Sequence, residues 1–600
     1  MVQILVTDWA FSMGANALLR MDIKKEIDRK GNILDVPITF LQTLPERMFE
    51  YMITTYSVAQ RRKQQGESYF KKLNSNIGGE TDKEKNNYKL YSDLINKNFK
   101  DSLDKVAKYF PQFAEETANI TSSIKEAIKA RDMEQLQISI AQALDILSKR
   151  EVDEKLTLNI VKATILSSSG GQVSFLNVTK NALSFAEQRD VFRKDFIDPL
   201  LWELQLQQLI EEKNHEQAFR YIQDSDHPIA KEWKKAYKKA VTMEDFSFFE
   251  SLPKCSAIDR QWGTMPYEEM MFMPLASTSL NDFRDGNIKN APVISSVARL
   301  LLLLAPLGCN SYRKKIGRDE QFVFSFLYVE GDCEETFDKN RYFYEALSRN
   351  SIFSEALIYS HERLRKLENE RQYVTLLIEW VTFSQMKKTL LEYRTVNESF
   401  IDILQGKRHE RLKIEKIYNH DFREQFVQQA LRNEDTKVLI MEELYRMLRE
   451  NQLQAFNGLS IKMALTFREV LAKGGQVMTN DKTLTDRMYG RGQSIRKQMG
   501  SSAHSAGDND DANHRATPEK KIATIAYRLL NAAKGGNRKE FFETVLRLHV
   551  VLGKPISKEF TSLLDRQMVK DHQFSTMALA FIAGLASEYK KTEEEGETNL

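Results

Sequence analysis

Residues 293–307, VISSVARLLLLLAPL, constrain this chain more than any other segment, with Arg299 as their one charge. A stretch this apolar must leave water, yet it falls short of the ~20 residues that a bilayer span needs. It predicts a helix over residues 296–304, buried in protein, around which a core has to be assembled. At 600 residues the chain is also too long for one core, and roughly two to four domains are expected.

Hydrophobic residues at 42% and charged residues at 28% place the chain among ordinary folded proteins and against disorder. Its 87 basic and 84 acidic side chains nearly cancel, so only local clusters could form a nucleic-acid surface. Cys255, Cys309 and Cys333 are too few for a disulfide framework, which points to a reducing compartment. The opening MVQILVTDWAFSMG lacks a basic region and a small-residue cleavage site. The expectation is a cytoplasmic protein without membrane contact.

Along the chain, Asp8 can cap a helix from Trp9 with Phe11, Ala15, Leu18 and Leu19 on one face. Residues 33–40 read as a strand closed by Pro37, hence at a sheet edge. Thr43-Leu-Pro-Glu46 has capping-box spacing and opens a helix through Met48, Met52 and Val58. The polar residues 71–89 predict an exposed loop, and 101–161 are helical in pattern. Residues 167–177 form a small-residue loop that runs into an apolar segment. Strands are expected at 272–280 and 322–329. After Asp338 the periodicity is helical almost throughout, including residues 342–357 and 371–391. Residues 500–517 contain no large apolar side chain and predict a linker. Three or four short amphipathic helices follow, divided at Gly535-Gly536, Gly553-Lys554-Pro555 and Asp571. The expected class is α+β and predominantly helical. It comprises a mixed N-terminal body (1–340), a helical domain (341–477) and a C-terminal helical bundle (478–600) with its linker at 500–517.

Catalytic motifs are missing from the sequence: it has no GxxxxGK[ST], no GxGxxG after a strand, no HExxH and no GxSxG. His420-Asp421 resembles a phosphohydrolase doublet, but the nine scattered histidines supply no further ligands in a supporting context. No enzyme activity, cofactor or metal is expected. Gly170-Gly171-Gln172 reads first as a tight turn. Small residues also let a loop enter a minor groove, where an amide such as Gln172 can bond base edges. Basic residues cluster at Arg487, Arg491, Arg496 and Lys497, with no acid between Asp486 and Asp508. Lys520, Lys521, Arg528, Lys534, Arg538 and Lys539 continue the excess. Such clusters suit a phosphate-tracking groove, with solvated helix faces as the alternative. Arg313-Lys314-Lys315 with Arg318, and Lys407-Arg408 with Arg411 and Lys413, carry a weaker form of the signal.

Several segments together resemble one family, the Cst-type large subunit of type I-B CRISPR Cascade, named for a CxxC…CxxC signature. They are Val6-Thr7-Asp8-Trp9…Gly14, residues 171–177 (GQVSFLN) with 194–199 (KDFIDP), residues 300–308 (LLLLLAPLG), and residues 521–531 with Gly553-Lys-Pro555. Their order and spacing carry the resemblance. The chain departs from the family at Cys255, which is followed by Ser256 to Arg260 rather than by a paired-cysteine zinc knuckle. No structural zinc is therefore expected, and packing through Trp262, Tyr267 and Met270-Met271-Phe272 would have to hold this region.

The resemblance implies a non-catalytic subunit that reads a short motif beside the target sequence, while CRISPR RNA supplies specificity by base pairing. Implied partners are the CRISPR RNA, target double-stranded DNA, the backbone and small subunits, and a helicase-nuclease or transposition effector. By analogy Gly170, Gly171, Gln172 and Asn177 are the first choice for motif reading, and Lys71, Lys72, Asn74 and Asn76 the second. In this family a small subunit often starts inside the large-subunit gene. Lys473-Gly474-Gly475 can be encoded with a GGAGG core shortly before Met478, the expected start, with Met488 second. The alternative function is a helical scaffold that binds only proteins.

Overall fold

The computed structural model describes residues 1–6, 8–78, 81–166, 173–236, 238, 241, 247–259, 261–267, 293–316, 319–348, 353–365, 375–383, 388–396, 398–405, 413–472, 483–504 and 518–588. The architecture is α+β and predominantly helical, with small antiparallel sheets. It divides into two compact units, residues 1–337 with 378–392 and residues 338–377 with 393–600. Among the described residues no helix is long and apolar enough to cross a membrane.

In the first unit, β1 (Val2–Leu5), β2 (Asp28–Lys30) and β3 (Ile33–Val36) form an antiparallel sheet in the order β1-β3-β2. The expected edge strand is thus central, and it stops at Val36. Pro37 lies beyond the ladder at the N-cap of the helix Ile38–Gln42, where its missing N–H costs no strand bond. Thr43 makes no capping box. That short helix turns its hydroxyl back to the Thr39 and Phe40 carbonyls, and the next helix, Leu44–Tyr56, ends before Val58.

Asp8 does cap the helix Trp9–Met21, accepting from the Ala10 N–H at 2.7 Å. Against this helix lies the apolar helix Ser296–Gly308, buried at every position except Arg299. The two backbones touch. A Cβ on Gly14 would overlap the Leu301 carbonyl, and one on Gly308 would overlap the Met13 carbonyl. Both ends of the apolar helix are satisfied inside the protein, as a buried terminus requires. At the N-terminus Ser295 caps Ala298, and Glu203 accepts from the Ser296 N–H (3.1 Å), the Ser296 hydroxyl (2.6 Å) and the Thr264 hydroxyl. At the C-terminus Asn16 donates to the Gly308 carbonyl (2.6 Å), and Arg20 donates to those of Leu307 (3.0 Å) and Cys309 (2.7 Å). Arg299 donates to the Asp195 carbonyl (2.7 Å) and stacks over the Phe196 ring.

Among the described residues of 71–89 most are helical, with only a short turn after Asn74. The helices Val58–Asn74 and Asp82–Tyr109 form a hairpin, and a capping box between Thr81 and Glu84 starts the second. Lys71, Lys72, Lys85 and Lys89 there are good helix formers on outward faces, while Leu73 and Tyr88 turn inward. With Ala114–Ala130, Met133–Ser148 and Arg150–Val161 the hairpin builds a bundle around Leu73, Ile95, Phe99, Ile124, Leu136 and Ile146.

Two short strands, β4 (Met265–Pro266) and β5 (Val293–Ile294), pair with each other. Residues 272–280 lie outside the described residues; 322–329 fall in a strand as expected. A third sheet has the order β6 (Asn310–Ile316), β7 (Asp319–Val329), β8 (Thr375–Phe383) and β9 (Lys388–Val396). The helical reading of 371–391 fails here. Leu377, Ile378, Glu379, Trp380 and Val381 are buried in succession, and an apolar run covered on both faces has no period that distinguishes strand from helix. Trp380 stacks on Phe324 at 5.1 Å, and Lys314 pairs with buried Glu379 at 2.9 Å.

In the second unit the hub is the helix Asp571–Ala586, whose residues 574–586 are all buried. It was expected to be amphipathic, but neighbouring helices cover it all round. On Leu484–His504 it seats Gly584 against the Tyr489 carbonyl and Gly492 against the Phe581 carbonyl. Gly458 of Ala455–Ala472 meets Ser587 just past its end. A helix from before residue 478 is thus part of the C-terminal bundle. Pro518–Lys534, Arg538–Val551 and Lys558–Ser562 complete it, breaking at the glycine and proline positions read from sequence. The helix Leu484–His504 includes the first residues of the expected linker; 505–517 lie outside the described residues.

Two expectations follow from this packing. Gly490 faces open space while Gly492, two residues on, has no room for a methyl group. Gly490→Ala should leave the melting temperature unchanged or raise it, by up to about 1 kcal/mol, whereas Gly492→Ala should cost about 3 kcal/mol or more. Burial outweighs the three hydrogen-bond donors at Glu203 and pushes its carboxyl up to about 7. A raised pKa in the folded state favours the protonated form. Its contribution is complete below pH ~4.5, is lost as pH rises through about 7, and amounts to about 3 kcal/mol. Melting curves from pH 5 to 8 should therefore fall more steeply for the parent chain than for Glu203→Gln.

Candidate nucleic-acid interface

The helix Leu484–His504 buries one side on the hub and turns Arg487, Gly490, Arg491, Ser494 and Lys497 to solvent. Those positions, at steps of three and four, make one stripe about 15 Å long from Arg487 to Lys497. Lys554, from the turn after Arg538–Val551, donates to Ser494 Oγ at 2.9 Å and joins it. Among the described residues Glu559 lies 3.8 Å from Arg491.

The helix Pro518–Lys534 presents Lys520, Lys521, Thr524, Arg528, Asn531 and Lys534. Arg528 is only loosely paired, 3.8 Å from Glu540. Half-buried Tyr527 shares this face and meets Tyr445 of the helix Lys437–Arg449 with ring centroids 6.1 Å apart. The Tyr445 hydroxyl donates to Asn531 Oδ1 at 2.6 Å. Sequence reading missed this tyrosine pair. Tyr527 was legible one residue before Arg528, but no local signal links it to Tyr445, 82 positions earlier. Cations beside aromatic faces are what phosphate contact and base stacking need.

Two expected strand contacts do not belong to this surface. Arg496 is buried and donates to the Leu585 (3.3 Å) and Ala586 (2.9 Å) carbonyls, closing the C-terminus of the hub helix. Arg538 is buried too, donating to the Leu563 carbonyl (2.9 Å) and to Asp571 (2.7 Å). Both stand on inward faces, which a count of charges along the chain cannot reveal.

Of the first-choice motif-reading residues, Gly170, Gly171 and Gln172 lie outside the described residues. Asn177 spends its side chain locally, where Oδ1 accepts from the Thr179 N–H (3.0 Å) and hydroxyl (2.8 Å) to cap a short turn. Behind it Lys162 donates to Asn181 Oδ1 (2.6 Å) and Gln188 Oε1 (2.9 Å), and Lys155 donates to the Asn181 and Leu183 carbonyls. Burial, with Lys155 nearby, lowers Lys162 to about 8. Lys71, Lys72 and Asn74 stand exposed on the last turns of a helix rather than in a loop. Lys72 lies over the Tyr91 ring, and Asn76 donates to the Lys72 carbonyl.

Cys255 Sγ accepts from the N–H groups of Ala257 (3.4 Å), Ile258 (3.4 Å) and Ser295 (3.2 Å), so backbone donors surround the sulfur. Among the described residues no three His, Cys, Asp or Glu side chains gather as a metal site. Trp262 packs against Trp233 and Phe249; Met270-Met271-Phe272 lie outside the described residues. His420 Nδ1 meets Arg423 at 3.0 Å. Of the lesser basic clusters, Lys314 is paired within the sheet, and Arg318 and 406–412 fall outside the described residues.

Arg487→Ala, Arg491→Ala and Lys497→Ala combined should lower the salt slope of single-stranded DNA binding by about 2 and leave the melting temperature alone. Arg538→Ala should behave oppositely, destabilising by about 1–3 kcal/mol through the unsatisfied Leu563 carbonyl. Anisotropy titrations and thermal melts on the same preparations separate the two. The chain matches no family model, no curated protein and no solved structure.

Proposed function

We propose that this chain is the non-catalytic large subunit of a type I-B CRISPR RNA-guided surveillance complex. In this reading it recognises the motif beside a DNA target, aids strand separation and recruits a helicase-nuclease or transposition effector. One observation carries it. Three of the segments on which the family resemblance rests lie far apart in sequence and meet in the first unit's core, while residues 521–531 and 553–555 belong to the second unit. Gly14 of the first segment seats Leu301 of the apolar one, Gly308 seats Met13, and Arg299 reaches the Asp195 carbonyl and the Phe196 ring of the central one.

The exposed stripes of the second unit are consistent with contacts to a displaced strand. A short product from Met478 keeps Thr483, whose hydroxyl and N–H close reciprocally on Asp486 to start the helix Leu484–His504. A start at Met488 would remove that cap, which favours Met478. The scaffold reading draws on Val550 and Val551, exposed at 70% and 83%, as apolar side chains available to a protein partner.

The test is to co-purify the tagged chain from its native host and sequence bound RNA. Short RNAs with a constant 5′ end and variable spacers are expected. Protein free of RNA, from cells that express the neighbouring genes, would replace this reading with the scaffold.

A further inference from the structure

The stripe on the helix Leu484–His504 differs from the other solvated helix faces of this chain. From Arg487 to His504 the helix holds Arg487, Arg491, Arg496 and Lys497 and no Asp or Glu. Solvated faces usually close opposite charges at four-residue steps, as Arg150–Glu154 and Glu216–Arg220 do here. Arg487 and Arg491 stand at such a step with like charge, which destabilises a helix unless a counter-charge comes from elsewhere. Both are exposed, and so is Lys497 at the far end of the stripe.

The chain itself carries the complementary charge and leaves the hub beside the stripe. Glu588, the last described residue, donates its N–H to the Leu453 carbonyl at 2.8 Å. Arg496, next to Lys497, holds the Leu585 and Ala586 carbonyls just before it, and Glu588 lies near enough to offset part of the effect of burial on that guanidinium. Residues 589–600 lie outside the described residues. Past Lys590 and Lys591 their sequence is TEEEGETNL, with Glu593, Glu594, Glu595 and Glu597 and no basic residue. Extended chain spans at most about 18 Å from Glu588 to Glu593 and about 32 Å from Glu588 to Glu597. The stripe is about 15 Å long, so these carboxylates can reach Lys497, Arg491 and Arg487. We propose that residues 593–597 dock on the stripe of Arg487, Arg491 and Lys497 in the same chain and shield it from weakly binding polyanions. A tether this short raises their effective concentration to roughly the millimolar range. As exposed ion pairs the contacts are screened by salt, and a polyanion that extends beyond the stripe displaces them. The docking rests on charge and reach alone; only its displacement by a nucleic-acid strand rests on the function proposed above.

The experiment uses the full chain and a zero-length carbodiimide cross-linker, which joins a carboxylate to an amine only where the two touch. Trypsin frees residues 592–600 as one peptide. At about 0.05 M salt that peptide should be joined to Lys497 in a product of monomer mass, and the yield should fall severalfold near about 0.5 M. Arg487→Ala with Arg491→Ala should lower the yield about threefold or more and leave the melting temperature unchanged. No such product, a yield that the arginine pair leaves unchanged, or a product of twice the chain mass overturns the inference. Glu593→Gln, Glu594→Gln, Glu595→Gln and Glu597→Gln combined should tighten binding of a single-stranded oligo(dT) about threefold or more. Equal affinity of the two chains, where both bind, overturns the shielding. If the cross-link forms and neither chain binds oligo(dT), the docking stands and the nucleic-acid reading of the stripe falls.

Discussion

The first unit depends on a helix that cannot exist in water. Ser296–Gly308 brings five consecutive leucines and two termini into the interior, and each terminus leaves backbone groups that must find partners. Glu203 and Ser295 serve one end, and Asn16 and Arg20 the other. The side chains that answer the second end come from the helix that packs along it, so packing and capping are one arrangement. Loss of either would expose both. The second unit repeats this solution around Asp571–Ala586, with Gly492 and Gly584 where the first unit has Gly14 and Gly308, and with Arg496 where it has Arg20.

This shared design explains which parts of the fold were legible in sequence. The Leu-rich segment announced its burial because composition alone decides it. The N-cap at Asp8 and the breaks at Gly535-Gly536 and Gly553 were legible because they are local. Strand β8 was not, because residues buried on both faces carry no periodic signature. The hub helix was misjudged for the same reason. The polar hairpin 58–109 was partly lost to a loop because its loop-like composition was in fact its solvent face, and only the Thr81–Glu84 spacing marked the helix start.

The candidate interface divides similarly. A run of charges identifies a segment rich in Lys and Arg but not which members face outward. Arg487, Arg491 and Lys497 share a face that the helix period could have isolated; Arg496, one residue from Lys497, turns inward to the hub's last carbonyls. Arg538 looks like its neighbours in sequence and differs only because Leu563 and Asp571 fold back to it. The tyrosine pair joins helices distant in the chain, so only the fold brings it together.

The pairing of Trp9–Met21 with Ser296–Gly308 also sets an order of events during synthesis. The first helix leaves the ribosome when nearly 290 residues remain to be made before its partner exists. At ~5–20 residues per second that interval is roughly 15–60 s. Throughout it the faces of Ala10, Met13, Ala17 and Leu18, fully buried in the finished protein, lack the helix Ser296–Gly308. The bundle of residues 58–161, with short connections and a core of its own, can form meanwhile. The nascent chain thus carries a finished helical module behind an apolar helix still waiting for its partner, a combination that invites chaperone binding at residues 9–21.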